Sequence, residues 1–175
     1  MTNTLRFPPA DPAVAAARFA AELSSEADPD DVVRDLGAGD TAGFRLVETR
    51  GAEAFARARI PGALHLPHWE VDEDATAGWD RDLVYVCYCE SAECNAATKG
   101  ALRLSRLGFR VKRLAGGIRA WQAAGYPVES GPVGDSPVGD SPVGGGPVGG
   151  GPVGGDRAGG GAAGGDGLHG AGCAC

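Results

Sequence analysis

Lysine is nearly absent from this chain: of sixteen cationic residues only Lys99 and Lys112 are lysine, and the formal net charge is −7. No basic face is available for phosphate backbones or anionic headgroups, which bind through clustered cations and counterion release. Nucleic acid and membrane surfaces are therefore set aside as partners. Long apolar runs are also missing. No stretch approaches the eighteen or so residues of a membrane span, and Met1-Thr-Asn-Thr-Leu-Arg-Phe-Pro-Pro9 lacks the apolar core of a secretion signal, so a cytoplasmic location is expected. Aromatics make up 6% of the chain and all lie between Phe7 and Tyr126, whereas 19 of the 30 glycines follow Ser130. A globular segment of about one domain is thus followed by a stretch with too little apolar surface to build a core.

Cysteine is scarce and unevenly placed, at positions 87, 89, 94, 173 and 175. An odd, clustered set is unlike the even, dispersed framework of a disulfide-stapled secreted domain, and the paired C-x2-C knuckles of zinc sites are missing. Reactive thiols are expected rather than structural bridges; no metal site and no cofactor are expected.

Asp11-Pro12 opens a helix expected to run to Leu23, with Val14, Ala17, Phe19, Ala20 and Leu23 at helical spacing. A second helix is expected from Asp30 to Leu36, ended by Gly37. Together they form a short helical extension over residues 1–40, covering one side of the domain that comes next. Phe44-Arg-Leu-Val-Glu48 reads as a buried strand, Ala52 to Arg57 as a helix, and Ile60-Pro-Gly-Ala-Leu-His-Leu66 as a turn leading into another strand. Leu83-Val-Tyr-Val-Cys-Tyr88 is apolar without interruption, as a parallel strand covered on both faces should be. Asn95 to Leu107 then forms an amphipathic helix stopped by Gly108, Val111 to Leu114 a strand, and Ile118 to Ala124 a closing helix. Alternating strands and helices predict an α/β fold with a parallel central sheet over residues 41–129.

Residues 130–175 begin with a five-residue repeat, from Gly131-Pro-Val-Gly-Asp135 to Gly151-Pro-Val-Gly-Gly155. Its few valines cannot offset the conformational entropy of so many glycines, so a disordered low-complexity tail is expected. Cys173-Ala-Cys175 at its end is either a mobile dithiol or an accident of composition.

Cys89 stands where the central strand meets a loop, at the carboxyl edge of the sheet where open α/β folds place their ligands. The loop Glu90-Ser-Ala-Glu-Cys94 opens directly into a helix with Asn95 near its cap. Backbone N–H groups and the positive helix end would then face the sulfur and favour thiolate, the nucleophile that takes a sulfane sulfur as a persulfide. Cys94 is open between a second, resolving thiol and a plain loop cysteine; Cys87, inside the strand, reads as a buried hydrophobe. His65 and His68 read as packing or surface histidines.

Four segments resemble the rhodanese family: Leu46-Val-Glu-Thr-Arg50, Arg59-Ile-Pro-Gly-Ala63, Val86-Cys-Tyr-Cys89 and Gly116-Gly-Ile-Arg-Ala-Trp121. They match its strand ending in Asp-x-Arg, its Gly-His-Ile-Pro-Gly-Ala turn, the strand entering its active cysteine, and its Gly-Gly-x-x-x-Trp. Cys94-Asn-Ala-Ala-Thr-Lys99 further resembles a single-domain subgroup whose loop holds a second cysteine. The resemblance implies a three-layer α/β/α sandwich on a five-stranded parallel sheet. It also implies a sulfurtransferase whose catalytic Cys89 carries persulfide sulfur, cradled by the backbone amides of Glu90, Ser91, Ala92, Glu93 and Asn95. Glu48, Arg50, Gly116, Gly117 and Trp121 become structural motif residues. The implied partners are a small sulfur donor and a thiol or cyanide acceptor. Two departures matter: Arg59 replaces the family's histidine, and Glu90 with Glu93 puts two carboxylates where thiosulfate-using members commonly have cations. Those charges are expected to repel a dianionic donor and to raise the thiol pKa.

Phosphatases of related architecture need an arginine six residues after the cysteine; Asn95, Gly100 and Glu93 stand there after Cys89, Cys94 and Cys87. Arsenate reduction is likewise opposed by an acidic loop. Against the sulfurtransferase stands a reading of another class, a non-catalytic rhodanese-type module that binds a protein or senses redox state.

Overall fold

The computed structural model describes residues 3–132. After a single 3-10 turn at Asn3–Leu5, helix α1 runs Pro12–Ser25, strand β1 Glu26–Ala27, α2 Pro29–Ala38, β2 Phe44–Glu48 and α3 Ala52–Arg57. There follow β3 Leu64–His65, β4 Val84–Tyr88, α4 Ala96–Arg106, β5 Arg110–Leu114 and α5 Gly117–Ala123. The five strands form one parallel sheet in the order β1-β5-β4-β2-β3. Parallel strands need crossovers, and helices or long loops supply them on both faces.

Strand β4 occupies the centre because its side chains are apolar on both faces of the pleat. Tyr85, Cys87 and, just past its end, Cys89 enter one core with Val47, Ala96, Ala97, Leu104 and Phe109. Val86 and Tyr88 enter the other with Val32, Leu46, Leu114, Ile118 and Trp121. Helix α4 covers the first face, α2 and α5 the second, which makes three layers. Trp121 is fully buried and its indole N–H donates to the Pro127 carbonyl at 2.8 Å, so the ring adds core area without an unpaired donor.

Asp11 and Pro12 start the first helix as the sequence suggests, Asp11 accepting from the Ala13 N–H at 2.9 Å; α2, expected from Asp30, starts one residue earlier at Pro29, with Asp28 accepting from the Asp30 N–H at 2.7 Å. Three local expectations change. Helix α2 runs through Gly37 and stops at Gly39, whose φ of +73° is the left-handed conformation that ends a helix. Strand β1 is too short to show a hydrophobic period, yet it pairs Glu26 with Arg113 and Ala27 with Leu114. The apolar face of α1, expected to pack on the sheet, is exposed at Val14, Phe19 and Leu23; the helix lies against β1 and β5 at the sheet edge, and Lys112 Nζ of β5 donates to the Leu23 carbonyl at 3.0 Å. Within residues 1–40, β1 thus supplies the sheet edge and α2 buries Val32 in the core. The reading of a tail falls, from residue 133 on, outside the described residues, as do Cys173 and Cys175.

Candidate active site

Cys89 follows Tyr88 directly, so the central strand delivers the thiol to the carboxyl edge of the sheet. The side chain is enclosed, with 2% of the residue exposed. Its thiol donates to the Cys94 carbonyl at 3.2 Å and more weakly to that of Ser91 at 3.8 Å. The Cys94 side chain hydrogen-bonds the Cys89 sulfur, and backbone at Ala97, in the first turn of α4, supports it from the other side. Ser91 and Cys94 meet because a turn closes between them, Cys94 N–H donating to the Ser91 carbonyl at 3.2 Å.

These surroundings do not favour thiolate as the sequence suggested. Burial raises the Cys89 pKa, and the Cys94 thiol adds to the rise; the backbone hydrogen bonds at Ala97 and Ser91 oppose it but lose. Removing an anion from water costs more than two amides return. Cys87, wholly enclosed two residues earlier, is pushed up to about 12 by burial first and by Cys89 second.

The start of α5 clamps the loop. Ile118 N–H donates to the Cys89 carbonyl at 2.9 Å and Arg119 N–H to the Glu90 carbonyl at 3.0 Å. This approach requires glycine at 117: φ is +62°, and a Cβ there would lie 2.5 Å from the Cys89 carbonyl oxygen and 3.0 Å from the Ser91 nitrogen. Trp121, one turn on, anchors α5 in the core. The Gly116-Gly117 pair and Trp121 therefore act together on the backbone of the cysteine.

A charge network holds the next residue. Arg50 binds Glu48 through two bonds, 2.7 Å from Nε and 2.9 Å from Nη2, and donates to the Ala58 carbonyl at 2.8 Å. Its remaining Nη1 reaches Glu90 at 2.5 Å, while Arg119 Nε binds the other Glu90 oxygen at 3.0 Å. Burial works against the Arg50 charge, but the two carboxylates hold its pKa above the ordinary arginine range. Glu90 is likewise penalised by burial and nevertheless lowered, because both guanidiniums bind it. The expectation that Glu90 repels an anion and raises the Cys89 pKa is therefore corrected: its charge is spent on two cations. Glu93 is different. It is exposed, bound by the Ser91 hydroxyl and its own backbone N–H, and its pKa is lowered with Arg119 only a minor contributor.

Of the remaining expected loop positions, Ala92 is exposed and Asn95 is the N-cap of α4 without a side-chain cap bond. The sulfur is met by backbone at Ser91 and at Ala97, a position that nothing in the sequence singles out. Thr49 was also unmarked; its N–H and hydroxyl both donate to the Tyr88 carbonyl, at 3.0 and 2.8 Å, fixing the strand end before Cys89. Tyr88 in turn accepts from the Ile60 N–H at 3.0 Å, tying the turn at Arg59-Ile60 to the same strand. His65 bonds the Arg50 carbonyl through Nε2 at 2.9 Å and stacks on Phe55. His68 is buried beside Lys99 and Arg103, with its pKa lowered first by burial and then by those cations. Among the described residues no group of three or more His, Cys, Asp or Glu is placed to hold a metal ion, and no helix is long and apolar enough to cross a membrane.

The Rhodanese-like domain family matches residues 28–124. A curated relative, the HTH-type transcriptional regulator Rv0324 of Mycobacterium tuberculosis, is 38% identical over 124 residues, 70% of this chain and 52% of that protein; the chain spans about half that relative's length. Among solved structures, the BH2092 protein of Bacillus halodurans is 37% identical with a TM-score of 0.66, covering 69% of this chain and 87% of its own. A thiosulfate sulfurtransferase of Pseudomonas aeruginosa is 27% identical with a TM-score of 0.51, covering 62% of this chain and 20% of its own.

Proposed function

The chain belongs to the Rhodanese-like domain family, and from that membership we propose that it is a sulfurtransferase carrying sulfane sulfur as a persulfide on Cys89. The observation that carries the reading is the clamped thiol: a central-strand cysteine whose sulfur touches backbone at Ser91 and at Ala97 in the first turn of α4, and whose carbonyl is fixed by α5. A persulfide anion needs such amides and the positive helix end. In the loading step the Cys89 thiolate attacks the outer sulfur of a donor such as thiosulfate; a bond forms between the two sulfurs, the donor's S–S bond breaks, and sulfite leaves with the electron pair. In the second step a thiol or cyanide attacks the outer sulfur and Cys89 departs as thiolate. Neutralisation of Glu90 removes one obstacle to an anionic donor, and exposed Glu93 keeps another. The loop Cys94-Asn-Ala-Ala-Thr-Lys99 supports placing the chain with single-domain members that have a second loop cysteine.

One observation favours a second reading. The resting Cys89 is enclosed and its pKa is raised by burial, as a module that binds a partner or senses redox state, without turnover, would tolerate. The relative is called a transcriptional regulator, which suits a sensing role. Intact-mass analysis after thiosulfate, and separately after polysulfide, separates the two. A gain of about 32 Da in the reduced, folded protein that is lost in Cys89→Ser supports the carrier. No gain with either donor, in wild type or in a Cys94→Ser variant, leaves the non-catalytic module.

A further inference from the structure

The loop brings a second sulfur against the first. Cys94 is buried in the same core as Cys89, with 8% of the residue exposed, its carbonyl lies 3.2 Å from the Cys89 sulfur, and its thiol hydrogen-bonds that sulfur. Both sides of the contact are fixed: α5 holds the Cys89 and Glu90 carbonyls, and the Ser91–Cys94 turn leads straight into α4. The atom that Cys94 touches is Sγ of Cys89, which becomes the inner sulfur once a persulfide is loaded. A thiol kept in contact with its target converts a bimolecular attack into an intramolecular one.

We infer that Cys94 is a second catalytic residue, which attacks the inner sulfur of the Cys89 persulfide, expels the outer sulfur as sulfide and leaves a Cys89–Cys94 disulfide. This rests on the persulfide reading above. In the step a bond forms between the two Sγ atoms and the bond from Cys89 Sγ to the outer sulfur breaks. The outer sulfur takes the electron pair and leaves as hydrosulfide, and the Cys94 proton passes to it or to solvent. The sulfane sulfur is reduced to sulfide and the two cysteine sulfurs are oxidised to the disulfide. Two equivalents of a low-molecular-weight thiol reset the pair by thiol–disulfide exchange. Without external thiol the loaded state is short-lived; the chain reduces sulfane sulfur rather than storing it. Cys87 lies one strand pleat away, is wholly enclosed and has no role in the step.

The test uses the full chain, reduced, freed of reductant and kept anaerobic, then given thiosulfate or polysulfide and followed by intact mass. Wild type is expected to end about 2 Da lighter than the reduced protein, with peptide mapping giving a Cys89–Cys94 link, while Cys94→Ser holds about 32 Da of added sulfur at least ~10-fold longer. Cys87→Ala should behave as wild type. Wild type and Cys94→Ser holding the same 32 Da for the same time would overturn the inference and leave the carrier intact. No sulfur gain in Cys94→Ser, with no disulfide in wild type, would overturn the carrier beneath it. Peptide mapping of wild type decides the outcome if Cys94→Ser does not fold.

Discussion

Gly117→Ala tests whether the Gly-Gly motif acts on the cysteine loop rather than merely turning the chain. Two costs add at this position. A φ of +62° costs a non-glycine residue about 1–2 kcal/mol. The new Cβ would also sit 2.5 Å from the Cys89 carbonyl oxygen, and overpacking of that kind costs about 1–3 kcal/mol more. A loss of roughly 3.5 kcal/mol, set against an unfolding entropy of about 2.1 cal/mol/K per residue over ~130 ordered residues, lowers Tm by about 13 °C. Gly125 is the matched control: its φ is +76° and nothing lies within 4 Å of its Cβ position. Gly125→Ala therefore carries only the backbone cost and should lose about 4–7 °C. Thermal unfolding by circular dichroism measures both variants. Sulfur loading, read by intact mass well below either Tm, should fall at least ~10-fold in Gly117→Ala and stay unchanged in Gly125→Ala, since displacing a reacting group is costly even in a folded protein. Equal Tm losses in the two variants, or unchanged loading in Gly117→Ala, would refute the clamp.

Glu48 is fully buried and bound by Arg50 through two hydrogen bonds, so Arg50→Met should cost about 3–5 kcal/mol in urea unfolding, and the double variant Glu48→Gln/Arg50→Met should recover most of it; equal losses in single and double variants would show the pair to be unimportant. Because the Cys89 pKa is raised, the reactive thiolate is a small fraction at neutral pH, and the loading rate should climb about tenfold per pH unit between about pH 6.5 and 8.5. A plateau within that window would mean a thiolate already formed. The same shift has a stability consequence of fixed sign: the unfolded thiol ionises first, so the contribution of Cys89 is complete below about pH 8 and is lost as pH rises further. Glu93→Gln should speed loading from thiosulfate severalfold relative to a neutral trisulfide donor, since exposed Glu93 is the loop carboxylate that no arginine binds closely, and about 1 M salt should erase most of that difference; an unchanged donor ratio at low salt would show that loop charge does not govern donor choice.

Much of the architecture was legible locally. The unbroken apolar run of β4, the Asp11-Pro12 helix start and the glycine that stops α4 act over a few residues each, and the family's four motifs fall in order around them. What escaped was non-local or very short. β1 has two residues, and only its pairing with β5 makes it a strand. Gly37 looked like a helix stop because glycine often is one, but the left-handed residue is Gly39. The apolar spacing of α1 was real and misleading, since period reports which face could pack and not whether anything is there to receive it.

The sequence places the candidate thiol at the strand end, but not the cause that sets its ionisation: the pKa is raised by burial rather than by the loop carboxylates, and the amides and helix end do not offset it. A loop spelled Glu-Ser-Ala-Glu is acidic when taken by itself. Glu90 meets Arg50 across 40 residues and Arg119 across 29, and that neutralisation exists only once β2, β4 and α5 have come together. Burial had the same origin: amides and a helix end were foreseeable near Cys89, whereas the enclosure that outweighs them comes from packing α4 on the sheet. Local order and chemical identity are encoded in short stretches of chain, because backbone preference and hydrophobic period act between neighbours. Charge state and reactivity depend on solvent exclusion and on partners distant in sequence, and only the folded chain supplies those.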